Sequence, residues 1–210
     1  MELFINITLY SGIIPLIILL FKRIALNFKE PIVPFIWVTA IASVYEIVGT
    51  GFMQINTSYW FQIYSFLEII GLYYFFSKLF KGRYKTVINI FFIFLLAVFC
   101  CSLFLWKDNG SLQAHSINKS ALTFSVLIAC CFWFRDLFKN IEVEENLWNL
   151  STFYFISAVI LYYSSTLLLF SLGNIVYSDI YLYDYWWINV FATLILRMFL
   201  IIGTWKMKSK

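Results

Sequence analysis

The chain has 210 residues, of which 62% are hydrophobic, 22% aromatic and only 12% charged, with a formal net charge of +4. Soluble domains carry roughly 25% charged residues, and a water-soluble fold of this size has too little interior for so much apolar surface. Lipid is the consistent solvent. The basic residues are scattered through short loops with no basic arm or face, so the positive charge is no nucleic-acid signature.

Seven apolar stretches follow in chain order, each near the ~20 residues that a membrane-crossing helix needs. They are Phe4–Phe21, Ile32–Phe52, Tyr59–Leu79, Val87–Trp106, Ile117–Phe134, Leu147–Leu172 and Trp187–Trp205. The N-terminus, Met1-Glu2-Leu3-Phe4, lacks the basic region of a secretory signal, so the first stretch is expected to stay as a span. Pro15 lies inside it and predicts a kink. Pro31 and Pro34 open the second span, where proline is tolerated. The fifth begins with the polar run Asn118-Lys119-Ser120. Trp and Tyr crowd the ends of the stretches, as in interfacial belts.

Lys and Arg alternate by loop. Lys22, Arg23 and Lys29 follow the first span; Lys78, Lys81, Arg83 and Lys85 the third; Arg135 and Lys139 the fifth; Lys206, Lys208 and Lys210 the seventh. The other side has only Lys107 and Lys119. The positive-inside rule places the rich side in the cytoplasm. The expected fold is an all-α polytopic bundle of seven transmembrane helices, N-terminus outside and C-terminus cytoplasmic, forming a single domain over residues 1–210 in a bacterial inner membrane. The connections are short, including the acidic one around Glu142, Glu144 and Glu145, and carry no soluble catalytic domain.

Three ionisable side chains are placed deep in these spans by this reading: Glu46, Glu68 and Arg197. A charge at mid-bilayer costs at least ~2.5 kcal/mol on insertion scales, so it has a partner or a task. Glu68 and Arg197 each lie about ten residues, or ~15 Å, below the outer surface, and are expected to pair. Glu46 lies nearer that surface, with Gln62 and Ser65 as expected partners. Spans two and three both read Ser-x-x-Glu-Ile-x-Gly, from Ser43 to Gly49 and from Ser65 to Gly71. That spacing sets an acid between two small residues on one helix face, which allows close helix approach. Tyr162-Tyr163-Ser164-Ser165-Thr166 in span six is expected either to bond neighbouring helices or to wall a polar cavity. The candidate ligand or ion site is therefore Glu46, Glu68, Arg197, Gln62, Ser65 and Tyr162, with no catalytic residue, cofactor or metal expected.

Several chemistries are unsupported. The chain has a single histidine, His115, which the span boundaries place at the exterior, and no His-Glu-x-x-His or Gly-rich phosphate loop. Cys100-Cys101 and Cys130-Cys131 read as small packing residues, too distant to bridge one another. The last span has Arg197 where a retinal pigment needs a lysine.

The stretches Ile63-Tyr64-Ser65-Phe66-Leu67-Glu68, Phe153-Tyr154-Phe155-Ile156 and Leu161-Tyr162-Tyr163-Ser164, with an acid at Glu46 in span two, resemble segments of uncharacterised multi-pass membrane proteins of Bacteroidota. Such proteins often accompany sensor histidine kinases, and the resemblance implies a sensory role. The first expectation is thus a non-enzymatic, receptor-like module in the bilayer that binds a small or lipidic ligand and acts through a signalling partner. A small transporter or channel using Glu46, Glu68 and Arg197 is the second, disfavoured because no span is plainly broken by paired Gly or Pro and no repeat halves are evident. A structural subunit and a lipid-directed enzyme follow.

Overall fold

The computed structural model describes residues 2–55, 57–80, 82–106, 111–139, 147–171 and 182–208. Their regular structure is all helical, with no strand among them. The helices are α1 (Glu2–Ser11), α2 (Ile14–Phe21), α3 (Val33–Tyr45), α4 (Thr57–Leu79), α5 (Lys85–Ser102), α6 (Ser111–Lys139), α7 (Ser151–Ser171) and α8 (Leu182–Lys206). With α1 and α2 as two halves of one span, these make the expected bundle of seven. Among the described residues, five segments are long and apolar enough to cross a membrane: Phe4–Phe21, Lys85–Leu105, Gln113–Lys139, Ser151–Ser171 and Trp187–Lys206. The parts of the connections around Lys107, Lys81, Lys210 and the acidic Glu142–Glu145 run lie outside the described residues.

The first span is broken rather than merely kinked. Pro15 has no N–H to return to the Ser11 carbonyl, so α1 stops and α2 restarts with Pro15 in its first turn. In the gap Gly12 N–H turns to Leu9 O (3.2 Å) and Ile13 N–H to Tyr10 O (3.2 Å). The second span changes register at its far end. α3 begins with Pro34 in its first turn, as expected, then passes at Glu46 into a seven-residue π-helix, Glu46–Phe52. Such wide turns concentrate at functional positions.

α1–α2, α3, α4, α6, α7 and α8 form a closed ring, since α8 packs on α1 and α2 as well as on α7. α5 lies outside it, against α4 and α6. The most extensive packing among the described residues is between α7 and α8. There a Cβ on Gly203 would overlap the Phe155 ring. The core joins Leu19, Phe35, Phe75, Ile156, Tyr163 and Leu200. Exposed Ile90, Ile93, Phe94, Leu168 and Phe191 form the outward apolar coat suited to acyl chains.

One end of the bundle is tied by basic residues. Lys22 donates to the backbone carbonyls of Thr204, Trp205 and Met207, capping the C-terminus of α8. Arg83 reaches Asp136 (3.1 Å), and Tyr84 donates to the same carboxylate (2.8 Å). The Lys/Arg groups after the first, third, fifth and seventh spans therefore gather at one end.

Candidate functional site

At the opposite end, where α1, α4, α6 and α8 begin and α3 and α7 finish, the ring encloses a cavity of about 320 Å³. α1 contributes Ile5, Thr8 and Leu9. α3 and its π-turn contribute Thr39, Ala42 and Glu46. Trp60, Phe61 and Tyr64 come from α4, His115 and Lys119 from α6, Tyr162 and Phe170 from α7. α8 adds Asn189, Val190, Thr193, Leu196 and Arg197. The volume falls in the lower part of the range typical of small-ligand sites, roughly 300–1,000 Å³.

Arg197 is nine-tenths buried or more and does not pair with Glu68. Its Nη1 donates to Thr8 O. The helix break supplies this acceptor: Gly12 N–H, which an unbroken helix would aim at Thr8 O, is engaged with Leu9 O. The guanidinium lies across Gly12, where an added Cβ would stand 2.9 Å from Cζ and would collide with Ser43 Oγ. Among the described residues no carboxylate lies within 4.0 Å of Arg197, and no other protein acceptor is recorded for its remaining N–H groups.

Glu68 pairs instead with Lys119, Nζ to Oε1 at 2.6 Å, both side chains essentially buried. Tyr163 donates to the same oxygen (2.8 Å), and Tyr64 approaches it at 3.4 Å. The ammonium sits 5.2–5.9 Å from the ring centres of Tyr64, Tyr162, Tyr163 and Phe170, an aromatic box that suits a cation. Glu68 Oε2 is buried with no hydrogen-bond partner among the described residues. The expected Glu68–Arg197 pair is thus replaced by Glu68–Lys119. The reason is the length of α6: it starts at Ser111, not near Ile117, so Lys119 lies about 12 Å inside rather than in a loop.

The same extension carries His115 inward. It is buried, not exterior: Nδ1 lies 3.1 Å from Ser65 Oγ, and the ring stacks on Phe61. Ser65 is therefore engaged by His115 rather than by Glu46. Gln62 is half-buried on α4 outside the cavity wall, with no hydrogen bond to Glu46 among the described residues. Tyr162 does wall the cavity and links Lys119 Nζ to Asn189 Oδ1, each at 3.4 Å. Of the rest of its hydroxyl run, Ser164 and Ser165 face outward and bond back to Leu161 O. Helical twist divides five consecutive polar residues between two environments. The paired Ser-x-x-Glu-Ile-x-Gly faces both turn inward: Ser43 and Ser65 are buried, and Gly71 meets Phe35. Glu46 is half-buried at the head of the π-turn, without a hydrogen bond or ion pair among the described residues.

The structure therefore brings Glu46, Arg197 and Tyr162 to one cavity, sets Glu68 behind Lys119 in its wall, and adds Lys119, His115 and Asn189. His115 and Lys119, at i and i+4 with Ser116 and Thr123 beside them, form a polar stripe that would have revealed the buried face of α6. Among the described residues no three His, Cys, Asp or Glu side chains come together in a metal-holding group. Comparison with known protein families, with curated proteins and with solved structures found no match to this chain.

Proposed function

We propose that this chain is a receptor-like, non-enzymatic membrane module of a bacterial inner membrane that binds a small ligand inside its helix ring and acts through a partner. The carrying observation is the ≈ 320 Å³ cavity, with Arg197 and Glu46 on one wall system and uncommitted to each other. A scaffold charge would sit against its counter-ion, as Lys119 does against Glu68. The alternating Lys/Arg loops support N-out, C-in insertion, which opens the cavity toward the outside. The resemblance to Bacteroidota proteins found beside sensor kinases supports a signalling output.

A second reading, a small transporter, is favoured by one specific observation. Of the two irregular segments, the π-turn lines the cavity with Glu46, and the Gly12–Ile13 break lies against the Arg197 guanidinium that lines it. Interrupted helices at a mid-membrane site are a transporter device.

The test is a paired measurement on Glu46→Gln: melting temperature of the purified protein, and the growth or transcript change that deletion of the gene produces in cells. Retained melting temperature with a deletion-like phenotype supports a ligand site. A wild-type phenotype in a stable, well-expressed variant contradicts it. Accumulation of a labelled solute that needs this chain in vesicles would move the reading to transport.

A further inference from the structure

We infer that the cavity takes a small zwitterion, a molecule pairing an ammonium with a carboxylate or other oxyanion on an apolar body. The inference rests on the ligand-binding reading and deepens it by naming the ligand's chemistry. Four charged side chains define the region, and two cancel each other: Lys119 and Glu68 are in contact at 2.6 Å. The other two, Arg197 and Glu46, both face the cavity, and no ion pair of 4.0 Å or less joins them. Arg197 is 5% exposed, with one nitrogen committed to Thr8 O and a planar fork suited to a carboxylate or phosphate oxygen pair. Glu46 accepts no side-chain hydrogen bond and joins no ion pair among the described residues.

The charges of the walls sum to zero. A bare anion would leave Glu46 facing an excess of negative charge in a low-dielectric site, and a bare cation would do the same to Arg197. A zwitterion satisfies both walls and preserves neutrality. Most of the remaining lining is apolar or aromatic, with Trp60 and Phe61 among it, so the body between or beside the charges should be apolar. Two sources carry this chemistry: a free apolar α-amino acid, and the headgroup of phosphatidylethanolamine.

The experiment measures equilibrium binding of labelled L-phenylalanine and L-leucine to the full chain in detergent. Competition uses 3-phenylpropionate, which lacks the ammonium, and 2-phenylethylamine, which lacks the carboxylate. A parallel arm places the protein in nanodiscs of phosphatidylglycerol with or without phosphatidylethanolamine. The expected result is binding of a zwitterionic probe about tenfold or more tighter than either single-charge analogue, roughly 1.4 kcal/mol per lost charge contact. Glu46→Gln should abolish the advantage over the anion, and Arg197→Gln the advantage over the amine. Retention of phosphatidylethanolamine by the protein in the nanodisc arm, or displacement of the bound amino acid when that lipid is added, supports the same chemistry with the headgroup as its source. Equal affinity for 3-phenylpropionate, unchanged in Glu46→Gln, overturns the inference in favour of a plain anion site. Binding of palmitate or another single-charge amphiphile with none of the zwitterions overturns it too, while leaving the ligand-binding reading intact. Glu46→Gln keeps the question decidable if Arg197→Gln fails to fold. Failure of the broader reading shows separately, as an unchanged cellular phenotype in Glu46→Gln.

Discussion

Lys119 on α6 and Glu68 on α4 form a direct ion pair in the bundle interior, Nζ to Oε1 at 2.6 Å, enclosed by the rings of Tyr64, Tyr162 and Tyr163. The contact joins two neighbouring members of the ring and takes Glu68 away from Arg197. It therefore leaves Arg197 as a cavity-lining cation with no carboxylate partner within 4.0 Å among the described residues.

Removing either partner strands the other. Glu68→Gln and Lys119→Met are each expected to cost about 3–5 kcal/mol, whereas the double variant should recover much of that loss. Denaturation of the four proteins in one detergent gives the coupling energy. Strictly additive losses would show that the pair does not act as a unit. Arg197→Met combined with Glu68→Gln should show little coupling by the same measure.

Gly12 is expected to tolerate no side chain. In Gly12→Ala the new methyl meets Ser43 Oγ and the Arg197 guanidinium. Overpacking of this kind costs about 1–3 kcal/mol, and Ser43→Ala in the same chain should return part of it. A Gly12→Ala protein as stable as wild type would mean that the broken first span does not press on Arg197.

The Lys22 cap predicts a local effect. Three carbonyls at the end of α8 accept from its ammonium. Lys22→Ala should cost roughly 0.3–2 kcal/mol. The loss should show as faster amide hydrogen exchange in the last turns of α8 with the cavity end unaffected. Uniformly faster exchange through α8 would instead mean that Lys22 holds the whole helix.

Orientation is testable at one point. Fusions of alkaline phosphatase and of a fluorescent reporter after Lys210 should give an inactive phosphatase and a fluorescent cell, since Lys206, Lys208 and Lys210 belong to the basic side. An active phosphatase there contradicts the N-out, C-in insertion.

The spans were legible because their signal is long and redundant: some twenty apolar residues each, with basic loops between. The break at Pro15 was half legible, since the missing N–H announces a kink but not that Gly12 would let Arg197 lie against it. The π-turn was not legible, because Glu46-Ile47-Val48-Gly49 reads equally as α-helix. Lys119 was missed for a physical reason. A lysine beside Asn118 and Ser120 at the edge of an apolar run normally snorkels to the interface. Here six further helical residues, Ser111 to Ser116, carry it inward, and an acid and four aromatic rings repay its desolvation. Equal depth in the bilayer predicts a Glu68–Arg197 pair, but depth does not say which helices are neighbours. Which helices neighbour one another decided it: α4 packs on α6, and α8 on α1, α2 and α7.

Whether the cavity admits a solute from the N-terminal end of the bundle tests the account most directly. With the four native cysteines replaced, Thr193→Cys on the cavity wall and Val159→Cys in the fully buried face of α7 can be compared. The measurement is the rate of modification by a small, membrane-impermeant thiosulfonate added to intact spheroplasts. A buried thiol reacts only through local opening, so Thr193→Cys should react about tenfold faster or more, and more slowly once a zwitterionic probe is bound. Equal, slow rates at both positions would mean a closed, dry interior and would contradict a ligand site in this bundle.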